Sequence, residues 1–410
     1  MRILFLSSQL PEPAHGGGAL RVNGLVRGIH AAGHTLHLLA FGTPDQHAAA
    51  RPWLDRTCAR AEVVPPPQRS LRQRLHDLLL TGLADMQRRA YSPLFVERLA
   101  HLLAEEPYDL VHLEGLEMMI YLPVIRQIQP NTPAIYGSQN AEAALQRTIF
   151  EAERGSLRRL PGTIYSGVQA RRLARFERAS CEGVAHVISV SDADAEAHRQ
   201  LAPGTPVSVV PNGIDVQTYE QADSTLDLGP AALVFTGSMN YRPNVDAALW
   251  FAENVLGRVR QQIPDAKFFV VGSQPHRRLD TLRERGDVEI TGWVPDVNPF
   301  LHAAAVYVVP LRMGSGTRLK LLQAMAARRA IVSTTIGAQG LHAHDGVEMV
   351  LADSAADFAR AVLDLLAHPE RRAALGEAAS VYVQAHYDWS AIVPCLLDVY
   401  EQVVSERAPR

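Results

Sequence analysis

The chain has 410 residues, 47% hydrophobic and 20% charged, with a net charge of −3. At roughly 150 residues per domain this length points to two large domains, and the apolar fraction supplies their cores, which excludes disorder as the main state. The charge excludes a global basic field for nucleic acid, and three scattered cysteines (Cys58, Cys181 and Cys395) make neither a disulfide framework nor a metal knuckle, which fits a reducing compartment.

In chain order, residues 3–7 form a short apolar run that ends in a Gly-rich loop. Residues 19–32 have helical spacing, with Leu20, Leu25, Val26 and Ile29 on one face, and stop at Gly33. Strand-like runs follow at 35–41, 61–64, 110–113, 134–136 and 185–190, separated by helical stretches. The second half repeats the scheme. Strands are expected at 233–236, 268–271, 288–290, 306–309 and 330–333, with helices at 244–262 and 317–328. The segment 209–215 carries turn chemistry, and 388–405 is an amphipathic helix. The reading is α/β: two doubly wound domains, 1–208 and 209–387, with 388–410 as a C-terminal helix. Ligands are expected between the carboxyl ends of the two sheets.

The N-terminus lacks the long apolar core and cleavage site of a signal peptide, and no run approaches roughly 18 apolar residues. The sequence therefore predicts a cytoplasmic protein. Two segments, 69–90 and 154–178, mix arginines with apolar residues. They read either as solvated helix faces or as a basic surface resting on anionic lipid. Lysine is nearly absent, with Lys267 and Lys320 alone, so a Schiff-base cofactor would have two anchors to choose from.

Chemistry-bearing residues cluster at strand ends. Gly16, Gly17 and Gly18 follow the first strand and let backbone N–H groups approach a diphosphate or sugar. Their spacing is not that of a dinucleotide fingerprint. The richest stretch is 310–326: a strand runs into Gly314, Ser315, Gly316 and Thr317, and a helix then opens with Arg318 and Lys320 in its first turn. Cations disfavour a helix start, so an anion is expected there. Gly237, Ser238, Arg242 and Asn244 open the second domain in the same way: strand, glycine, polar turn, helix. Trp293 and Val294 follow another strand; Trp293 reads equally as packing or as a base-edge contact. In the first half, Glu114 and Gln139 stand at strand ends. His112, inside its strand, reads as a satisfied core residue. Asp192 and Asp194 form a DxD, but directly after Ser191 they read as a capped helix start with an acidic first turn.

The stretches FTGSMNYRPN, ITGWVPDV, VVPLRMGSGTRLKLLQAMA and IVSTTIGAQGL, together with LVHLEGLEM and the early GGG, resemble the retaining glycosyltransferases of family 4, which have the GT-B fold. That resemblance implies a sugar transferase with two Rossmann-like domains facing across a cleft. It implies a nucleotide-sugar donor on the C-terminal domain, and a glycan, lipid-linked or other hydroxyl acceptor. Arg318 and Lys320 would neutralise the diphosphate, the amides of Gly314 to Thr317 would hold phosphate or sugar, Val294 would meet the base, and Gly17 and Gly18 would close over the phosphates. No metal or other cofactor is implied, and no nucleic-acid partner. The cytoplasmic enzyme would meet its acceptor at the inner membrane face. The family's two glutamates, separated by seven residues, fall here on Ser315 and Gln323, and its usual histidine falls on Gln139. Two other readings stay open: a sugar-nucleotide epimerase on the same fold, and a non-catalytic nucleotide-sugar-binding or scaffold subunit.

Overall fold

The computed structural model of the chain describes residues 1–14, 16–70, 73, 81–153, 160–221, 226–314 and 318–406, and at 148–153, 160–166 and 168 the backbone alone. The chain divides into two compact units, one holding Met1–Asn212 and the chain from Ile392 on, the other Gly213–Ala391. The division falls after Asn212 rather than after 208 because the Arg21 side chain holds Val210, Pro211 and Asn212 to the first unit. It falls after 391 rather than 387 because Asp388 bridges to Ile214 and accepts from Val216 N, both in the second unit.

The first unit is built on seven strands: β1 (Arg2–Ser7), β2 (Thr35–Phe41), β3 (Arg60–Val64), β4 (Leu110–Glu114), β5 (Ala134–Gly137), β6 (His186–Ser189) and β7 (Val207–Val209). They pair in the order β3-β2-β1-β4-β5-β6-β7, all parallel. β4 is buried along its whole length, which explains its near-continuous apolar sequence. Ser7 pairs with Glu114 and Glu114 with Gly137, so β1, β4 and β5 finish level. The helix Gly17–Ala31 leaves the Gly-rich turn; Gly16, at φ 116°, supplies a backbone that other residues rarely adopt. The helix buries Arg21, Val22, Leu25, Val26 and Ile29, with Leu20 only half buried, so the expected apolar face carries a charge.

The second unit has six parallel strands: β8 (Ala232–Thr236), β9 (Lys267–Val271), β10 (Val288–Gly292), β11 (Val306–Val309), β12 (Ile331–Ser333) and β13 (Val350–Leu351), in the order β10-β9-β8-β11-β12-β13. After β8 a helix begins at Arg242, with Pro243 in its first turn, and passes through a π-helical turn, Phe251–Val255, before ending at Arg260. Phe251 packs on Phe268 and Phe358, with ring centroids 4.5 and 5.7 Å apart, and fixes this helix to the sheet. Full burial of such a ring is worth about 1.5–3 kcal/mol. The helix expected at 317–328 runs over Leu319–Ala326, which leaves Arg318 as its extended N-cap residue rather than part of the first turn.

Candidate active site

In a doubly wound sheet, ligands bind where the strand order reverses, because the turns on either side of that point leave a crevice. In the second unit that point lies between β8 and β11. Gly237 follows β8 with φ 153°. A Cβ on it would fall 2.6 Å from Asn244 Nδ2 and 2.8 Å from Lys320 Nζ, so glycine is what lets both side chains approach the strand end. Lys320 Nζ donates to Asn244 Oδ1 at 2.7 Å and lies 4.2 Å from the centroid of the Phe235 ring. Asn244 is buried, and its amide nitrogen donates to Ser238 O at 2.9 Å. Burial pushes the Lys320 ammonium well below the ordinary lysine value, and the Arg318 charge adds to the shift. Arg318 lies against Gly314, where φ is 126° and a Cβ would meet Nη2 at 2.6 Å. An anion at this strand end would meet two cations and the start of the Leu319–Ala326 helix.

In the first unit the order reverses between β1 and β4, and the site there is different in kind. Glu114 ends β4 with 1% exposure. Its Oε1 accepts from Arg21 Nε at 2.8 Å and from Gln139 Nε2 at 3.4 Å; its Oε2 takes His112 Nε2 at 2.8 Å. Burial would raise this carboxyl, but the Arg21 charge and His112 together hold it below the usual carboxylate range. Glu114, expected as a catalytic group, is thus buried at its strand end, and donors of this chain occupy its carboxylate. Gly137 makes room for the cluster, since a Cβ there would lie 2.3 Å from Glu114 Oε2 and 2.4 Å from His112 Nε2. Gly18 plays the same part beside Gln9 and Gln139, 2.2 Å from Gln9 Nε2 and 3.2 Å from Gln139 Oε1 by the same measure.

Other expected residues lie apart from these clusters or make other contacts. Gln323, one helical turn after Lys320, donates from Nε2 to the Tyr219 hydroxyl at 2.9 Å. Arg242 is exposed at the start of its helix, and Gly16 and Gly17 are exposed at the start of theirs. Trp293 is 67% exposed, so it is no core residue, while Val294 is half buried against the core. Ser315, Gly316 and Thr317 lie outside the described residues, as do Arg72, Arg74, Arg154, Arg158 and Arg159 of the two basic segments. Within those segments Arg69 pairs with Asp85 at 2.8 Å, and Arg172 donates to Leu83 O at 3.4 Å. Ser191 does cap its helix, accepting from Asp194 N, and Asp194 Oδ1 accepts from Ala141 N at 2.9 Å. Among the described residues no group of three His, Cys, Asp or Glu side chains could hold a metal ion, and no helix is long and apolar enough to cross a membrane. The sequence reasoning missed Arg21, Tyr219 and Tyr400. A charge on an apolar helix face was the signal for Arg21; the two tyrosines gave none.

Two parallel sheets, each with its chemistry-bearing residues at the carboxyl ends, define a GT-B architecture. The family models agree. Residues 230–368 match the model for glycosyl transferases group 1, and residues 15–218 that for glycosyltransferase family 4. The chain belongs to glycosyltransferase family 4, and it is a glycosyltransferase. It is 25% identical to a phosphatidyl-myo-inositol mannosyltransferase of Mycolicibacterium smegmatis, over 95% of this chain and 90% of that one. Among solved structures it is similar to sucrose-phosphate synthase of Thermosynechococcus elongatus, with a TM-score of 0.72 at 19% identity over 99% and 100% of the two chains. It is also similar to the Anabaena protein HepE in complex with UDP and glucose, with a TM-score of 0.68 at 16% identity over 98% and 100%.

Proposed function

We propose that the protein transfers a sugar from a nucleotide sugar to a hydroxyl acceptor with retention of anomeric configuration, and that the second unit holds the donor. The observation that carries this reading is Lys320, a half-buried ammonium whose hydrogen bond goes to the neutral Asn244 amide, with Arg318 next to it in charge. A nucleoside diphosphate supplies the negative charge this arrangement suits. UDP in the HepE structure belongs to a protein of the same fold and supports the same class of donor.

The transfer needs no protein nucleophile. The bond between the anomeric carbon and the β-phosphate oxygen breaks, and the acceptor oxygen bonds to that carbon on the same face. The acceptor proton passes to the departing phosphate oxygen. Charge then grows on the diphosphate, where Arg318 and Lys320 stabilise it; such preorganised charge is worth about 10²–10³ in rate for a single donor group. These cations do the neutralising, so a metal has no part in the proposal. The Tyr219 hydroxyl accepts from the Gln323 amide nitrogen and leaves its oxygen to accept from a ribose hydroxyl. The acceptor is a glycan or lipid-linked saccharide, met in the cytoplasm at the inner membrane face.

The test is a panel of UDP-, GDP- and ADP-sugars incubated with a mixture of glycan and polyprenyl-linked acceptors, followed by proton NMR of the product's anomeric signal. One donor turned over to a product of the donor's own anomeric configuration is expected. An inverted product defeats the retaining assignment, and diphosphate-independent binding of the sugar alone defeats the donor assignment.

A further inference from the structure

Glu114 belongs to a longer chain of buried side chains than the reaction itself requires. It begins on the helix Trp389–Ser405, where the Tyr400 hydroxyl is 2.8 Å from His112 Nδ1. It continues through His112 Nε2 to Glu114 Oε2, and from Glu114 Oε1 to Arg21 Nε, each at 2.8 Å. It ends where Arg21 Nη1 donates to Val210 O at 3.1 Å, Pro211 O at 3.2 Å and Asn212 Oδ1 at 3.2 Å. Those three are the last residues of the first unit before the chain enters the second. A side branch runs from Glu114 Oε1 to Gln139 Nε2, whose amide oxygen faces Gly18. All four main members are buried, with exposures of 0–1%.

The proton positions follow from the chemistry. A carboxylate only accepts, so Nε2 of His112 donates to Glu114. Burial, with Glu114 adding to it, holds the Tyr400 phenol above its ordinary value, so Tyr400 keeps its proton, and its hydroxyl shares one hydrogen bond with His112 Nδ1. His112 also stacks on Phe5 of β1, with centroids 4.4 Å apart and planes 8° apart, so the ring cannot turn to another partner without losing that contact. Both Glu114 oxygens thus accept, one from Arg21 and one from His112, while Arg21 Nη2, also buried, has no hydrogen-bond partner. Breaking any one of these buried bonds leaves further polar groups unsatisfied, which ties the members to one arrangement.

We propose that Glu114 is a positioning residue, the hub through which the C-terminal helix sets the crossover segment 210–212 and the Gly-rich turn at Gly18. The acceptors at 210–212 are held by Arg21, Arg21 is held by Glu114, and Glu114 is held by His112 and Tyr400. Deleting one oxygen at Tyr400 therefore acts at Val210, although the two residues belong to different elements. The C-terminal segment becomes part of the catalytic unit rather than an appendage. This inference rests on the transfer activity and not on the phosphate role of Lys320.

The test uses Tyr400→Phe, which keeps the ring packing, and Glu114→Gln, which keeps the shape but places an amide donor against Arg21 or His112. Amide hydrogen exchange of the full chain is read peptide by peptide. In Tyr400→Phe, exchange should rise at least tenfold over 18–23 and 208–213, with 232–236 and 306–309 unchanged and the melting temperature within a few degrees of the parent. With the donor that the parent turns over, kcat should fall about tenfold in Tyr400→Phe and further in Glu114→Gln, with KM for the donor within twofold. UDP, GDP and ADP affinity should be unchanged in both, which separates this inference from the donor assignment. Exchange that rises only around 396–404 and 112 overturns the proposal. So does a kcat in Tyr400→Phe equal to the parent's, or a loss in the double variant equal to the product of the two single losses, because one relay predicts that the losses do not multiply.

Discussion

The two strand-end clusters use similar residue types to opposite ends. In the first unit, Arg21 and Glu114 are matched in charge, and His112 and Tyr400 are bonded within the same relay, with Arg21 Nη2 the one relay donor left without a partner. In the second, Lys320 bonds to an amide rather than a carboxylate, and burial and Arg318 both oppose its charge. The first arrangement has its carboxylate satisfied by donors of the same chain and serves to hold the structure in place. The second holds a charge that its surroundings oppose and that a bound anion would offset. Position at a strand end did not distinguish them; the hydrogen-bond partners did.

The contrast breaks most sharply at Lys320. Lys320→Ala should lower kcat/KM about 10²–10³-fold while the purified protein folds as well as the parent, because the variant removes an opposed charge. Measured turnover together with chemical unfolding checks both halves. The pH dependence has a definite sign. The folded-state value of Lys320 is depressed, so between it and the ordinary lysine value the unfolded chain binds the extra proton. Stability of the free protein should therefore rise with pH through that window, and Lys320→Met should lack this rise. Diphosphate binding should take up a proton in the same window, read by calorimetry in buffers of different ionisation enthalpy.

In the first unit the expected damage is to stability. Gly137→Ala forces a Cβ onto Glu114 and His112 and should destabilise by about 1–3 kcal/mol in urea unfolding. A variant as stable as the parent would contradict the close packing of that hub. Gln323→Glu should tighten nucleoside diphosphate binding about fivefold, on the order of 1 kcal/mol, if its oxygen meets a ribose hydroxyl, since a charged acceptor bonds more strongly. The smallest effect is expected at Arg312. It forms a two-pronged pair with Asp246, at 2.8 and 3.0 Å, but stays about half exposed, so Arg312→Ala should cost only about 0.5 kcal/mol of stability.

Much of the fold was legible because parallel strands buried on both faces read as short apolar runs between helical stretches. β7 was not, because Val207-Ser208-Val209 runs straight into a Pro-Asn-Gly turn and has no apolar run of its own. β13 escaped because two residues carry no periodicity. Lys320, Asn244 and Gly237 could be grouped in advance, since strand, glycine and helix start recur around each. The Glu114 relay could not: Arg21 and Glu114 are 93 residues apart and Tyr400 and His112 are 288 apart, and no local pattern announces such pairings. The expected helix start at Thr317 was early by two residues, with Arg318 extended as its N-cap, so the two cations occupy different backbone settings rather than one turn.

The central claim is that the second unit's unmatched lysine marks a diphosphate site. Its most direct test is a calorimetric titration of UDP, GDP and ADP into the parent and into Lys320→Ala. The account predicts that at least one nucleotide binds the parent with proton uptake, and that affinity and uptake are both lost in the variant. Equal affinity in the two proteins, for whichever nucleotide binds, would contradict it.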